Sequence, residues 1–182
     1  MRSFILAITT AVVLITCAHA AEFKNADLHL SLTLPKKFTR TESGSVPAVI
    51  GTQKARFVLP DAEKPNGTIL VHQMSLPDGT DYAQFKAGLE QGLREHFGEA
   101  AKIVRQEDVE QGGWSGFMIE AQVPGNEKDP EPGGSVRHHL RWYLLRDGTD
   151  KLIGVIFDAR DEAWKELEPG FSTAFKSLKK TE

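Results

Sequence analysis

One cysteine, Cys17, occurs in the 182 residues, and it lies within the first twenty. No disulfide can therefore close within the chain, and the fold has to stand on buried apolar area alone. Basic runs are also missing. Lys and Arg number 22 against 25 Asp and Glu, a formal charge of -3 that speaks against a nucleic-acid surface. Past residue 20 no apolar run is long enough to cross a bilayer, so no membrane span is expected there. A phosphate-cradling glycine loop, a zincin helix motif and a cysteine pair are all absent, so no cofactor and no metal site are expected. There is no internal repeat.

What is present begins with a leader. Arg2 precedes the apolar runs Phe4-Ile5-Leu6-Ala7-Ile8 and Ala11-Val12-Val13-Leu14-Ile15, and Ala18-His19-Ala20 supplies small residues before a cut. This pattern reads as a secretory signal over 1–20, cleaved before Ala21, which leaves a single domain over 21–182 in the periplasm or outside the cell. The alternatives are an uncleaved anchor or lipidation of Cys17. Leu14-Ile15-Thr16-Cys17 resembles a lipoprotein box, but Thr16 stands where Gly, Ala or Ser is usual, so cleavage is preferred.

The best-specified stretch lies late in the chain. Val136, His138, Leu140, Trp142 and Leu144 alternate with Arg137, His139, Arg141, Tyr143 and Leu145, a period of two that predicts a long strand. Asp147-Gly148 then suits a tight turn with positive φ, and Leu152-Ile153-Gly154-Val155-Ile156-Phe157 returns as a strand apolar on both faces. Such a strand is covered on both faces, which places the hairpin near the middle of a sheet between helices.

Earlier strands are predicted at Leu28–Leu34, ended by Pro35, at Ala48–Gly51, at Arg56–Pro60, and at Ile69–Met74 after a Pro65-Asn66-Gly67-Thr68 turn. Lys36, Lys37 and Arg40 read as a solvated strand end. Ser43-Gly44-Ser45 marks a loop. Asp81 and Gln84 form a capping-box pattern for a helix ended by Gly98, with Tyr82, Phe85, Leu89, Leu93 and Phe97 on one face. Gly88 and Gly92 on the adjoining stripe are expected to let that helix approach the sheet. A strand from Ala101 to Glu110 turns at Gln111-Gly112-Gly113, and its partner puts Phe117, Ile119, Ala121 and Val123 on one face, Trp114, Met118 and Glu120 on the other. Residues 124–134 carry no large apolar side chain and read as a surface loop. Two helices are expected at the end, Asp161–Glu168 and Phe171–Lys179, broken by Pro169-Gly170.

Chemistry is thin. Gly113-Trp114-Ser115-Gly116-Phe117 misses the nucleophile elbow, because Phe117 replaces the last glycine and the segment enters a strand. His138 and His139 are neighbours on a strand and point to opposite faces, so they cannot close on one ion. No catalytic residue is assigned. The one row that stands out is Arg137, His139 and Arg141, ending in Tyr143. It is either the rim of a cleft for an anionic ligand or acidic partner, or a set of cross-strand pairs with carboxylates.

In this order of elements the chain resembles the Mog1/PsbP-like superfamily. The likeness rests on Leu30-Ser31-Leu32-Thr33-Leu34-Pro35, the helix after the first strands, the long hairpin, and the ending Phe171-Ser172-Thr173-Ala174-Phe175-Lys176-Ser177-Leu178-Lys179. The resemblance implies an α/β/α sandwich around an antiparallel sheet and a non-enzymatic accessory or partner-binding role. It transfers no functional residue. The expectation is thus an exported module that binds an envelope protein, with a carrier of an anionic or amphiphilic small molecule as the alternative.

Overall fold

In the computed structural model, residues 21–41, 51–60, 67–125 and 137–182 are described. The leader with Cys17, the Ser43 loop, the Ala48–Ile50 strand, Pro65-Asn66 and residues 126–134 of the late loop lie outside them.

The chain runs β1 (Glu22–Asn25), β2 (Leu30–Thr33), β3 (Thr39–Arg40), β4 (Thr52–Leu59), β5 (Gly67–Ser75), α1 (Tyr82–Phe97), β6 (Lys102–Gln111), β7 (Trp114–Pro124), β8 (Arg137–Asp147), β9 (Lys151–Arg160), α2 (Asp161–Lys176) and β10 (Lys179–Lys180). Seven strands form one antiparallel sheet in the order β3-β4-β5-β9-β8-β7-β6. β9, apolar from Leu152 to Phe157, is its central strand, as a segment covered on both faces requires. α1 covers one face, where Phe85, Leu89 and Leu93 meet Phe117, Ile119, Trp142 and Leu144. The other face is covered jointly by α2 and a small sheet of order β1-β2-β10, through Leu28, Leu30, Leu32, Trp164, Phe171 and Leu178. Each such side chain contributes about 1.5–3 kcal/mol by leaving water. The result is an α+β sandwich around an antiparallel sheet.

α1 starts as its sequence dictates. Gln84 N–H donates to Asp81 Oδ1 at 2.8 Å, and Asp81 N–H donates to Gln84 Oε1 at 2.9 Å. Tyr82 and Phe97 lie at the margins of the buried stripe.

Four expectations are corrected. The first concerns α2, which is one helix through Pro169. A proline in a helix interior costs about 3 kcal/mol. The buried Trp164, Phe171 and Ala174 lie on both sides of it, and at about 1.5–3 kcal/mol for each large side chain they outweigh that loss. Second, the C-terminal residues expected in a helix form β10, pairing Lys179 with Ser31 and Lys180 with Leu30. Third, the central turn is longer than two residues, because Asp147 still pairs with Lys151, and Gly148 alone of the dipeptide takes a positive φ, 84°. Fourth, Gly88 and Gly92 are exposed, with nothing within 4 Å of a methyl group built on either. They face solvent because the buried stripe of Phe85, Leu89 and Leu93 alone fixes which side of α1 meets the sheet.

Candidate recognition surface

The Arg137–Tyr143 row lies on the face of β8 that α2 covers. Register sets its neighbours: Glu120 of β7 lies opposite Arg141, Gln122 opposite His139, and Pro124 opposite Arg137. A carboxylate opposite a guanidinium closes the pair across the strands.

Arg141, 7% exposed, donates from Nε to Glu120 Oε2 at 2.9 Å and from Nη2 to Glu168 Oε1 of α2 at 2.7 Å. Its Nη1 reaches Ser172 Oγ at 3.3 Å, and the guanidinium lies 5.2 Å from the Trp164 ring centre. Burial works against its charge, but the hydrogen bonds to Glu168 and Glu120 outweigh burial and leave the Arg141 pKa raised. Glu120, 8% exposed, is the mirror case. Burial alone would raise its pKa, yet Arg141 and then His139 hold the carboxyl below its ordinary value.

His139 Nε2 lies 2.9 Å from Glu120 Oε1, and the imidazole stacks on Trp164 at 4.0 Å with 2° between planes. Its Nδ1 is 3.9 Å from Asp161 Oδ1, an atom that is buried and has no hydrogen-bond partner. Tyr143 stacks on Phe175 at 3.6 Å, and burial raises its phenol pKa against the lowering effect of Arg141. Arg137 differs from all three. It is exposed at the start of β8, beside a dent lined by Ala100, Gln122, Val123 and Pro124 of about 30 Å³.

The structure therefore brings His139, Arg141 and Tyr143 together under α2 and leaves Arg137 at the sheet end. Of the two readings of this row, the geometry from His139 to Arg141 is that of cross-strand pairs with a carboxylate, covered by α2, rather than an open rim. Glu120 and Glu168 complete the cluster, and sequence reasoning did not name them as partners. One signal was available, since a carboxylate at Glu120 sharing a face with Trp114 and Met118 needs a buried cation.

The remaining candidates stay apart. His138 Nδ1 lies 2.9 Å from Asp158 Oδ1 on the opposite face. His72, 2% exposed, accepts at Nε2 from Trp142 Nε1–H at 3.0 Å, which fixes that nitrogen as unprotonated. Ser115 sits within β7 opposite Glu110, not on a strand-to-helix turn. Lys36, Lys37 and Arg40 are exposed, in keeping with a solvated strand end. Among the described residues no cluster of His, Cys, Asp and Glu is arranged to hold a metal, and no helix is long and apolar enough to cross a membrane.

No protein-family model matches the chain, and no curated protein matches its sequence. Solved structures do. PsbP of Synechocystis sp. PCC 6803 superposes with a TM-score of 0.61 at 13% identity, over 95% of this chain and 97% of that one. LpqN of Mycobacterium tuberculosis, described as involved in cell envelope biogenesis, gives 0.57 at 13% identity over 84% and 83%. The Ran-binding protein Mog1p of Saccharomyces cerevisiae gives 0.54 at 14% identity over 91% and 97%. With the seven-stranded antiparallel sheet, its two covering layers and these superpositions, the chain has the Mog1/PsbP-like fold.

Proposed function

We propose that the chain is an exported accessory module that binds a protein of the cell envelope and performs no chemistry itself. Arg137, exposed at the hairpin end, is its contact residue, and His139, Arg141 and Tyr143 hold α2 in place behind it. The observation that carries this reading is the spending of the buried cation. Arg141 is bonded to Glu120 and Glu168, so an anionic ligand gains nothing there without displacing a carboxylate. The dent beside Arg137, about 30 Å³, is far below the several hundred Å³ of small-molecule sites. The likeness to a Ran-binding protein and to an envelope-biogenesis protein supports the same reading.

The test is a photo-crosslinking amino acid placed in cells at position 122, which lines the dent beside Arg137, with a second probe at position 90 on the outer side of α1. The expected result is one discrete adduct from 122, absent from 90 and lost from 122 when Arg137 is changed to Glu. Adducts of equal yield from both positions, or none from either, overturn the reading.

A further inference from the structure

The two ends of the large sheet differ. β3 closes one end over two residues. β6 closes the other over ten, and every residue from Val104 to Asp108 is exposed. An edge of that length is a template for another strand. Which groups it offers follows from its turn. Gly112 and Gly113, at φ 56° and 86°, join β6 to β7 as a two-residue turn, so Gln111 and Trp114 close the ladder as a hydrogen-bonded pair. Pairs alternate from there. Val109, Glu107 and Arg105 exchange backbone hydrogen bonds with β7, while the N–H and C=O groups of Glu110, Asp108 and Gln106 point away from it. Among the described residues no strand meets them. Val104 is the extra residue of a bulge between Ile103 and Arg105, and it is 49% exposed.

The charges on this edge exclude most strands, including most registers of the strand's own copy. Two copies of β6 pairing antiparallel are related by a two-fold axis through one residue, since an axis between residues would bring opposite faces together. Like charges directly opposite each other are destabilising. An axis at Arg105, Glu107, Asp108 or Glu110 sets that charge against itself. An axis at Val109 sets Asp108 against Glu110, and one at Val104 falls on the bulge. Between Val104 and Glu110, only Gln106 avoids all of this. There, Gln106 exchanges both backbone hydrogen bonds with its copy, as an outward-facing residue can, and Arg105 lies opposite Glu107 on both sides of the axis. Arg105 already donates from Nε to Glu107 Oε2 at 3.0 Å within the strand, so the four side chains alternate in sign on one face. Asp108 falls opposite Val104, where the bulge ends the ladder.

We propose that β6 is a homodimer edge: two copies of the chain pair antiparallel about Gln106 into one continuous sheet, with Arg105 of each opposite Glu107 of the other. The contact is short and polar, so the dimer is weak and reversible. It uses none of the residues of the partner contact at Arg137, and the crosslinking outcome there does not bear on it.

Sedimentation equilibrium of the purified chain up to millimolar concentration should show a monomer–dimer equilibrium, and the Gln106 amide should gain protection from hydrogen exchange as the dimer fills. Arg105→Glu alone and Glu107→Arg alone should each weaken self-association at least about tenfold, since two attractive pairs become repulsive. Mixing the two single variants should restore association to near the native level, because every glutamate then meets an arginine across the axis. The chain carrying both substitutions should dimerise by itself for the same reason. A chain that stays monomeric at every concentration, a dimer indifferent to these substitutions, or single variants that remain apart when mixed would each overturn the proposal.

Discussion

Replacing Arg141 by Met removes the cation on which the Glu120 carboxylate depends. Glu120 is 8% exposed and keeps only its contact with His139 at 2.9 Å. Removing one member of a buried ion pair costs about 3–5 kcal/mol. For a domain of this size that lowers the melting temperature by on the order of 10 °C. The pH dependence should also change sign. In the native chain the Glu120 pKa is lowered in the folded state. Its stabilisation is therefore complete above the unfolded carboxylate value, about 4.3, and is lost as pH falls through the lower folded value. In Arg141→Met, burial still acts and its main counterweight is gone, so the folded pKa lies above the unfolded one. The residue's contribution is then complete below the unfolded value and is lost as pH rises through the raised folded value. Urea unfolding from pH 4 to pH 8 should show the gap between the two proteins growing toward neutrality. The paired change Glu120→Leu with Arg141→Met should recover most of the loss, to within about 1 kcal/mol of native. A penalty below about 0.5 kcal/mol at pH 7, or one equal at every pH, would refute the argument that Glu120 and Arg141 are a buried, mutually dependent pair.

Other consequences are simpler to check. Gly154→Ala would drive a methyl group into the His72 ring, and thermal melts should show a loss of about 1–3 kcal/mol. Gly88→Ala and Gly92→Ala, on the exposed side of α1 with no neighbour to strike, should each stabilise by about 0.5–1 kcal/mol in urea titration. Asp81→Ala removes half of the capping box and should cost about 1 kcal/mol in the same assay. Tyr82 has its hydroxyl buried without a hydrogen-bond partner and its pKa raised to about 12. Ultraviolet titration should show that phenol ionising near that value, and Tyr82→Phe should leave stability unchanged or slightly higher.

Period-two patterning was enough to locate β8 and β9 and to sort the two faces of β7, because in a sheet the sequence alternation is itself the geometry. The Asp81–Gln84 pattern located the start of α1 for a similar reason, since both hydrogen bonds are local. What was not legible depends on contacts distant in the chain. Lys179 and Lys180 form a strand only because Ser31 and Leu30 are there to pair with them. The single α2 survives Pro169 because the sheet beneath rewards Trp164 and Phe171 together. The ionic cluster was half visible. Arg141 and Glu120 could each be placed on a face, but their pairing depends on the β7–β8 register across residues 126–136, and Glu168 arrives from a helix whose rotation no local pattern sets.

The central claim is that in the free protein the Arg141 guanidinium is enclosed and committed to two carboxylates. Its Nε–H resonance at neutral pH tests that claim most directly. The account predicts a sharp signal in slow exchange with water, set apart from that of the exposed Arg137. An Arg141 signal broadened by rapid exchange, indistinguishable from that of Arg137, would contradict it.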